Sequence, residues 1–188
     1  MSEQINKVLV LANNEVGFYC FRKELAERLV SMGKEVFLSA PQGIYTANLE
    51  KMGVHRLFIN IDRHGINPFT DFFLLLKYIK TIRLLRPNAV LTYTIKPNLY
   101  GSLASWICRI PCFSNITGIG EVFQKDSILK RILVFALRFS MRKNECLFFQ
   151  NQENMNIYMK NGICGKKHIL LPGSGVNLSN HSDCRECT

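Results

Sequence analysis

The sequence predicts an α/β fold: a Rossmann-like open parallel sheet with helices on both faces. Three observations predict it. Short apolar runs alternate with segments of helical periodicity along the chain. The runs are near-continuous rather than alternately apolar and polar, the pattern of strands covered on both sides. Between them stand clusters of Asn, Gly, Pro and Thr, the residues that turn a strand into the next helix.

Lys7–Ala12 (KVLVLA) is the first strand and Asn13–Gly17 the turn after it. Phe18, Phe21, Leu25, Leu29 and Met32 then recur at helical spacing until Gly33 stops the helix. Glu35–Ala40 is a second strand closed by Pro41 and Gly43, Leu49–Gly53 a short helix, and Val54–Ile61 a third strand. Arg63–Pro68 is a loop. Asp71–Leu85 is a strongly apolar helix with Lys77, Lys80 and Arg83 on its wetter side, ended by Pro87. Val90–Thr94, rich in β-branched and aromatic residues, is the next strand. Pro97 disfavours the α region at Lys96, which predicts a sharp turn there, with Asn98 capping a helix over Leu99–Ile107. Pro111–Thr117 is a strand, Asp126–Arg142 a helix, Glu145–Gln150 a strand, Glu153–Asn161 a helix and His168–Leu171 the last strand.

At 188 residues and 47% hydrophobic content the chain suffices for one domain with a substantial core. Lys plus Arg exceed Asp plus Glu by 24 − 14 = 10, which favours an anionic partner: nucleic acid, an acidic membrane surface or a phosphorylated substrate. No run approaches the roughly 20 apolar residues of a membrane span, and Val8–Ala12 is too short for a signal-peptide core. These features predict a cytoplasmic protein whose cysteines are buried free thiols. There is no Walker A, GxSxG or HExxH motif, and no basic–aromatic pattern of a single-strand nucleic-acid module. Cys184 and Cys187 with His181 fall short of the four ligands of a zinc site. Neither a metal nor nucleic acid is therefore expected.

Polar residues collect at the predicted carboxyl ends of the strands, where open parallel sheets bind their ligands. Asn14 and Gly17 can hold a phosphate at a helix amino end, or form an ordinary strand–helix turn. Tyr93 and Thr94 end the fourth strand, and Lys96 and Asn98 follow it. Thr117, Gly118 and Gly120 let a ligand approach the backbone, with Glu121 as a base or sugar-hydroxyl acceptor; a tight turn has the same composition. Arg63 and His64 are anion contacts or a solvated loop. Gly173, Ser174 and Gly175, after Pro172, are built like a hinge.

The helix around Ser127–Lys143 carries Lys130, Arg131, Arg138 and Arg142 on one side. Ile128, Leu129, Ile132, Leu133, Phe135, Ala136 and Phe139 lie on the other, while Val134, Leu137 and Met141 intrude on the basic side. Such a helix either packs its apolar side on its own sheet or lies on an anionic membrane.

Taken in order, several blocks resemble the amino-terminal domain of family 4 glycosyltransferases of the GT-B fold, in the subgroup that builds capsular and lipid-linked surface polysaccharides. They are Val8–Ala12 with Phe21-Arg22, Ile61–Pro68 (IDRHGINP), Thr92–Gly101 (TYTIKPNLYG), Asn115–Gly120 (NITGIG), Phe148–Asn151 (FFQN) and Leu171–Leu178 (LPGSGVNL), extending over about residues 7–178. The resemblance implies an acceptor-binding domain paired with a second Rossmann-like domain for the nucleotide-sugar, a UDP-linked co-substrate. It implies retention of anomeric configuration with no essential metal and no other cofactor. It also implies Asn14 and Gly17 as donor-phosphate or acceptor contacts, Tyr93, Thr94, Lys96 and Asn98 as the acceptor edge, and Thr117, Gly118 and Gly120 as the cleft floor. Lys96, the foremost of these, would face a diphosphate; the plain reading of the residue alone is an exposed turn lysine.

On this reading residues 1–178 are the domain and 179–188 a disordered tail or truncated linker. The donor-binding domain is absent, so the chain alone would transfer no sugar, and a separate donor-domain chain becomes an expected partner beside the lipid-linked saccharide and an anionic membrane. Its expected place is peripheral, at the inner face of the cell membrane. The alternatives are a catalytically inactive membrane-surface module and a free-standing nucleotide-binding domain, the latter disfavoured by the glycine-poor Asn13–Gly17 loop.

Overall fold

Strand β1 (Lys7–Leu11) shows why its apolar run is unbroken. Val8 and Val10 pack with Phe18, Ala26 and Leu49 on one side of the sheet, while Leu9 and Leu11 pack with Leu74, Tyr78 and Ile82 on the other. The computed structural model describes residues 6–61, 67–120, 123 and 127–173. Within them β1, β2 (Glu35–Ser39), β3 (Val54–Leu57), β4 (Ala89–Tyr93), β5 (Cys112–Ile116), β6 (Cys146–Phe149) and β7 (His168–Leu170) form one parallel sheet in the order β3-β2-β1-β4-β5-β6-β7.

The strand order reverses between β1 and β4. Right-handed crossovers therefore place α1 (Glu15–Ser31) and α2 (Thr46–Lys51) on one face. The reversal sends α3 (Pro68–Leu85), α4 (Ser102–Cys108), α5 (Ile128–Met141) and α6 (Gln152–Lys160) to the other. This is the expected doubly wound layering. No helix among the described residues is long and apolar enough to cross a membrane.

Three local expectations are corrected. The third strand stops at Leu57 instead of running to Ile61. The turn after β4 is made at Thr94, whose φ of 72° is left-handed, and not at the residue before Pro97. Lys96 is right-handed helical (φ −67°, ψ −48°), and the Asn98 N–H reaches the Thr94 carbonyl at 2.9 Å, so the chain is already helical when it reaches Pro97. Proline is tolerated there because a first-turn residue has no carbonyl waiting for its N–H. A π-helical turn, Pro97–Gly101, then leads into α4 without a side-chain cap from Asn98.

The third correction concerns α5. Its innermost residues are Leu137 and Met141, fully buried, with Val134 half-buried beside them, all three from the side that carries the arginines. Ile128, Ile132 and Phe135 face outward at 79%, 60% and 70% exposure. The helix has two apolar arcs, and two contacts fix which one turns inward. Arg138 donates to the Asn161 carbonyl at 2.7 Å, and the Arg142 guanidinium lies over Trp106 and Phe139 at 4.6 and 4.5 Å. The thiols also divide: Cys112 and Cys146 are buried, whereas Cys20 and Cys164 are exposed.

The π-helical turn packs tightly on the sheet. A Cβ on Gly101 would lie 2.7 Å from Leu11 Cδ1 and 2.8 Å from Thr92 Cγ2. Overpacking of this kind costs about 1–3 kcal/mol, so Gly101→Ala is expected to lower the thermal midpoint measurably. Gly118→Ala, where a Cβ meets nothing within 4 Å, is expected to leave it nearly unchanged.

Candidate functional site

Ligands of open α/β sheets bind at the strands' carboxyl ends where the strand order reverses, because flanking loops diverge there and leave a crevice. In this chain the reversal lies between β1 and β4, and a crevice of about 350 Å³ is found there. That volume falls within the range of small-molecule sites. Its polar rim comes from Asn13 and Asn14 after β1, Thr94 after β4, Thr117 after β5 and Gln150 after β6, and α1 adds Phe18, Phe21 and Arg22 as a side wall.

Local chemistry holds each part. Asn14 is extended and caps α1, its Oδ1 accepting the Val16 N–H at 3.1 Å. Gly17 keeps the first turn open: a Cβ would sit 3.3 Å from the Asn14 side chain. Thr94 donates its hydroxyl to the Tyr93 carbonyl, and Gln150 donates to Asn115 Oδ1 at 3.2 Å. The Arg22 guanidinium lies 5.4 Å from the Tyr93 ring centre. Burial raises the Tyr93 phenol's pKa and Arg22 opposes the rise, so the phenol stays protonated and can donate.

Behind the rim sits a buried ion pair. Glu15, the first residue of α1, places Oε2 2.6 Å from Arg56 Nη2, and both side chains are only 1% exposed. Oε1 accepts the Tyr45 N–H at 2.8 Å and Oε2 the Thr46 hydroxyl at 2.6 Å. A Cβ on Gly43 would lie 2.6 Å from Oε1, so this loop approaches the carboxylate as only glycine can. The group therefore fixes the start of α1 against β3 and the loop after β2.

Asn14, Gly17, Tyr93, Thr94 and Thr117 thus meet in one crevice. Lys96 and Asn98 do not line it. Lys96 Nζ is paired with Asp71 Oδ1 at 2.7 Å, and Tyr100 donates to the other Asp71 oxygen at 3.0 Å, toward α3. Burial, with Asp71 alongside, pushes the Tyr100 pKa well above its ordinary value. Asn98 is buried: Oδ1 accepts from Thr92 Oγ1 at 2.7 Å and Nδ2 donates to the Asn115 carbonyl at 3.1 Å. It braces β4 and β5 in a network that Ser114, Ser102 and Asn144 extend.

Gly118 and Gly120 lie beyond the lining. Gly120 has a φ of 71°, and a Cβ there would meet Ile95 Cδ1 at 2.6 Å. Lys130, with Arg131, borders a separate surface depression beside Phe123 and Lys160. Gly173 has a φ of 101°. Arg63, His64, Glu121, Ser174 and Gly175 lie outside the described residues.

Asn13, Arg22 and Gln150 were not assigned to the site from the sequence, although Asn13 lies in the Asn13–Gly17 loop and Arg22 and Gln150 in blocks that carry the family resemblance. Arg22 carried a signal, because it falls on the inward face of α1 between Phe18 and Ala26, where a lone arginine has to find a polar purpose. Gln150 carried another, as the polar residue that ends an apolar strand at the carboxyl edge.

No protein-family model matches the chain. In sequence it is 25% identical over 176 residues to N,N'-diacetylbacillosaminyl-diphospho-undecaprenol alpha-1,3-N-acetylgalactosaminyltransferase of Campylobacter jejuni, over 89% of this chain and 46% of that protein. Among solved structures, Anabaena HepE in complex with UDP and glucose matches 94% of this chain with 46% of its own, at a TM-score of 0.67 and 14% identity. UDP-N-acetylglucosamine 2-epimerase from Rickettsia bellii matches at a TM-score of 0.61 and 13% identity, over 94% of this chain and 46% of the epimerase. A likeness shared by proteins of such different names carries the architecture and no single reaction. The chain spans about half the length of the relatives it matches; it has the fold of one Rossmann-like half of a GT-B glycosyltransferase and is a homologue of a bacterial glycosyltransferase of lipid-linked saccharides.

Proposed function

We propose that the chain is the acceptor-side half of a retaining glycosyltransferase that moves a hexose or N-acetylhexosamine from a UDP-linked sugar to a lipid-linked saccharide in surface polysaccharide synthesis. The observation that carries the reading is the crevice at the strand-order reversal. Amides and hydroxyls from Asn13, Asn14, Thr94, Thr117 and Gln150 line it together with the aromatic rings of Phe18 and Tyr93. Sugars offer that combination of hydroxyl edges and apolar ring faces, and Arg22 adds a cation for an anionic part of the ligand. The Campylobacter relative is named for transfer to a diphospho-undecaprenol-linked sugar, which motivates the lipid-linked acceptor.

One wall does not exclude water or clamp a donor, so in this reading a second Rossmann-like domain brings the nucleotide-sugar and closes on the acceptor. The outward stripe of α5 rests on the inner face of the membrane and keeps the half near its lipid-linked substrate.

The test is a transfer assay with UDP-N-acetylhexosamines and an undecaprenyl-diphosphate-linked saccharide, run on the 188-residue chain alone and with a polypeptide carrying the second half. Transfer is expected only in the mixture, and is expected to fall at least tenfold with Tyr93→Ala. Robust transfer by the chain alone would contradict the half-cleft reading. A second reading, a membrane-surface module without catalysis, is favoured by α5 alone. Vesicle binding with no transfer in any mixture would establish it.

A further inference from the structure

Asp71, the carboxylate that pairs with Lys96, also lines a second cavity of about 530 Å³ between α3 and the segment after β3. That volume again falls within the range of small-molecule sites. Ile61 and Leu74 are its buried apolar lining, and Phe73 of α3 adds an aromatic ring that is 59% exposed. The remaining lining is polar: Asn60 from the segment after β3, and Thr70, Asp71 and Lys77 from α3.

A carboxylate buried to 8% exposure needs partners, and Asp71 has them. Lys96 Nζ lies 2.7 Å from Oδ1, and Tyr100, its phenol kept protonated by burial and by Asp71, donates to Oδ2 at 3.0 Å. A carboxylate offers about four lone-pair positions, so these two contacts leave others to accept from a ligand with adjacent hydroxyls. Thr70 donates to the Asn67 carbonyl at 2.9 Å, which commits its hydrogen and leaves its oxygen to accept; the Asn60 amide can do either. Lys77 differs from these, because it makes no ion pair among the described residues. An uncompensated ammonium, in a cavity whose carboxylate is already paired, suits one negative charge on the ligand. A diphosphate would bring several charges against Asp71 with this single cation to balance them. Asp71 and Lys77 are about 9 Å apart along the helix axis, and helical side chains lean toward the amino end, so the lysine reaches back toward the carboxylate. The interval suits one sugar ring with its substituents.

We propose that this cavity binds a hexuronic acid, with vicinal ring hydroxyls donating to Asp71, the apolar ring face on Phe73 and the sugar carboxylate on Lys77. No lining residue of the crevice takes part, and the inference stands without the sugar-transfer reading.

The probes are the methyl glycosides of glucuronic and galacturonic acid, each beside its neutral hexoside, titrated against the 188-residue chain and followed by saturation-transfer difference NMR. Saturable binding is expected for at least one pair, with the acid bound about threefold tighter than its neutral partner. Added salt is expected to narrow that gap. Lys77→Gln is expected to remove the preference while leaving the neutral ring's affinity unchanged. Asp71→Asn and Phe73→Ala are each expected to weaken both members of the pair at least fivefold. Phe73 and Lys77 are exposed, so their variants read the site even if Asp71→Asn, by unsettling Lys96, fails to fold. No saturable binding of any probe, or equal binding of acid and neutral ring to the parent chain, would overturn the proposal. So would binding that survives Phe73→Ala and is lost in Tyr93→Ala, since the sugar would then occupy the crevice.

Discussion

Glu15→Ala is expected to lower the thermal unfolding midpoint by roughly 6–20 °C. The substitution removes the carboxylate that lies 2.6 Å from Arg56 and leaves a guanidinium buried without its counter-ion. Breaking one side of a buried pair costs about 3–5 kcal/mol, and in a chain of this length each kcal/mol moves the midpoint by about 2–4 °C. The Tyr45 N–H and the Thr46 hydroxyl lose their acceptor in the same step. Replacing both charges, as in Glu15→Met with Arg56→Met, is expected to recover most of the loss, because no lone buried charge remains. Differential scanning calorimetry of the three proteins checks this. A single variant within 2 °C of the parent would mean that the pair does not hold α1 against β3.

Binding to vesicles with a substantial anionic lipid fraction is expected to fall at least 100-fold in the Ile132→Asp, Phe135→Asp double variant. Both side chains point away from the sheet, with Ile128 and Phe139 on the same stripe. Burying each in a bilayer interface is worth about 1.5–3 kcal/mol, and about 2.7 kcal/mol is already a hundredfold. The flanking cations act differently. Arg138 and Arg142 are engaged with Asn161, Trp106 and Phe139, so their joint neutralisation with Lys130 and Arg131 removes packing as well as charge. Its readout is a loss of the salt dependence of flotation. Flotation unchanged in the apolar variant would rule out α5 as the membrane-facing element.

The strands and their parallel sheet were legible because each strand buried on both faces is an unbroken apolar run, as in Val8–Ala12 and Cys146–Phe149. So was part of the rim of the crevice, since Asn14, Thr94 and Thr117 stand at the carboxyl ends of such runs. What was not legible required knowing which side of an element faces inward. In α5 two apolar arcs compete, and only the docking of Arg138 and Arg142 decides between them. Lys96 reads as a turn lysine until Asp71, twenty-five residues earlier, is found at 2.7 Å. Asn98 reads as a cap until the helix is seen to start before Pro97. The Glu15–Arg56 pair spans forty-one positions with no local pattern to announce it.

Hydrogen exchange of the chain with and without an undecaprenyl-diphosphate-linked saccharide asks where the acceptor rests. The crevice predicts that slowed amides cluster at 13–17, 94 and 117–118, on the loops that follow β1, β4 and β5. Protection confined to the far edge beyond β7, or to α2 and β3, with these loops unaffected, would contradict it.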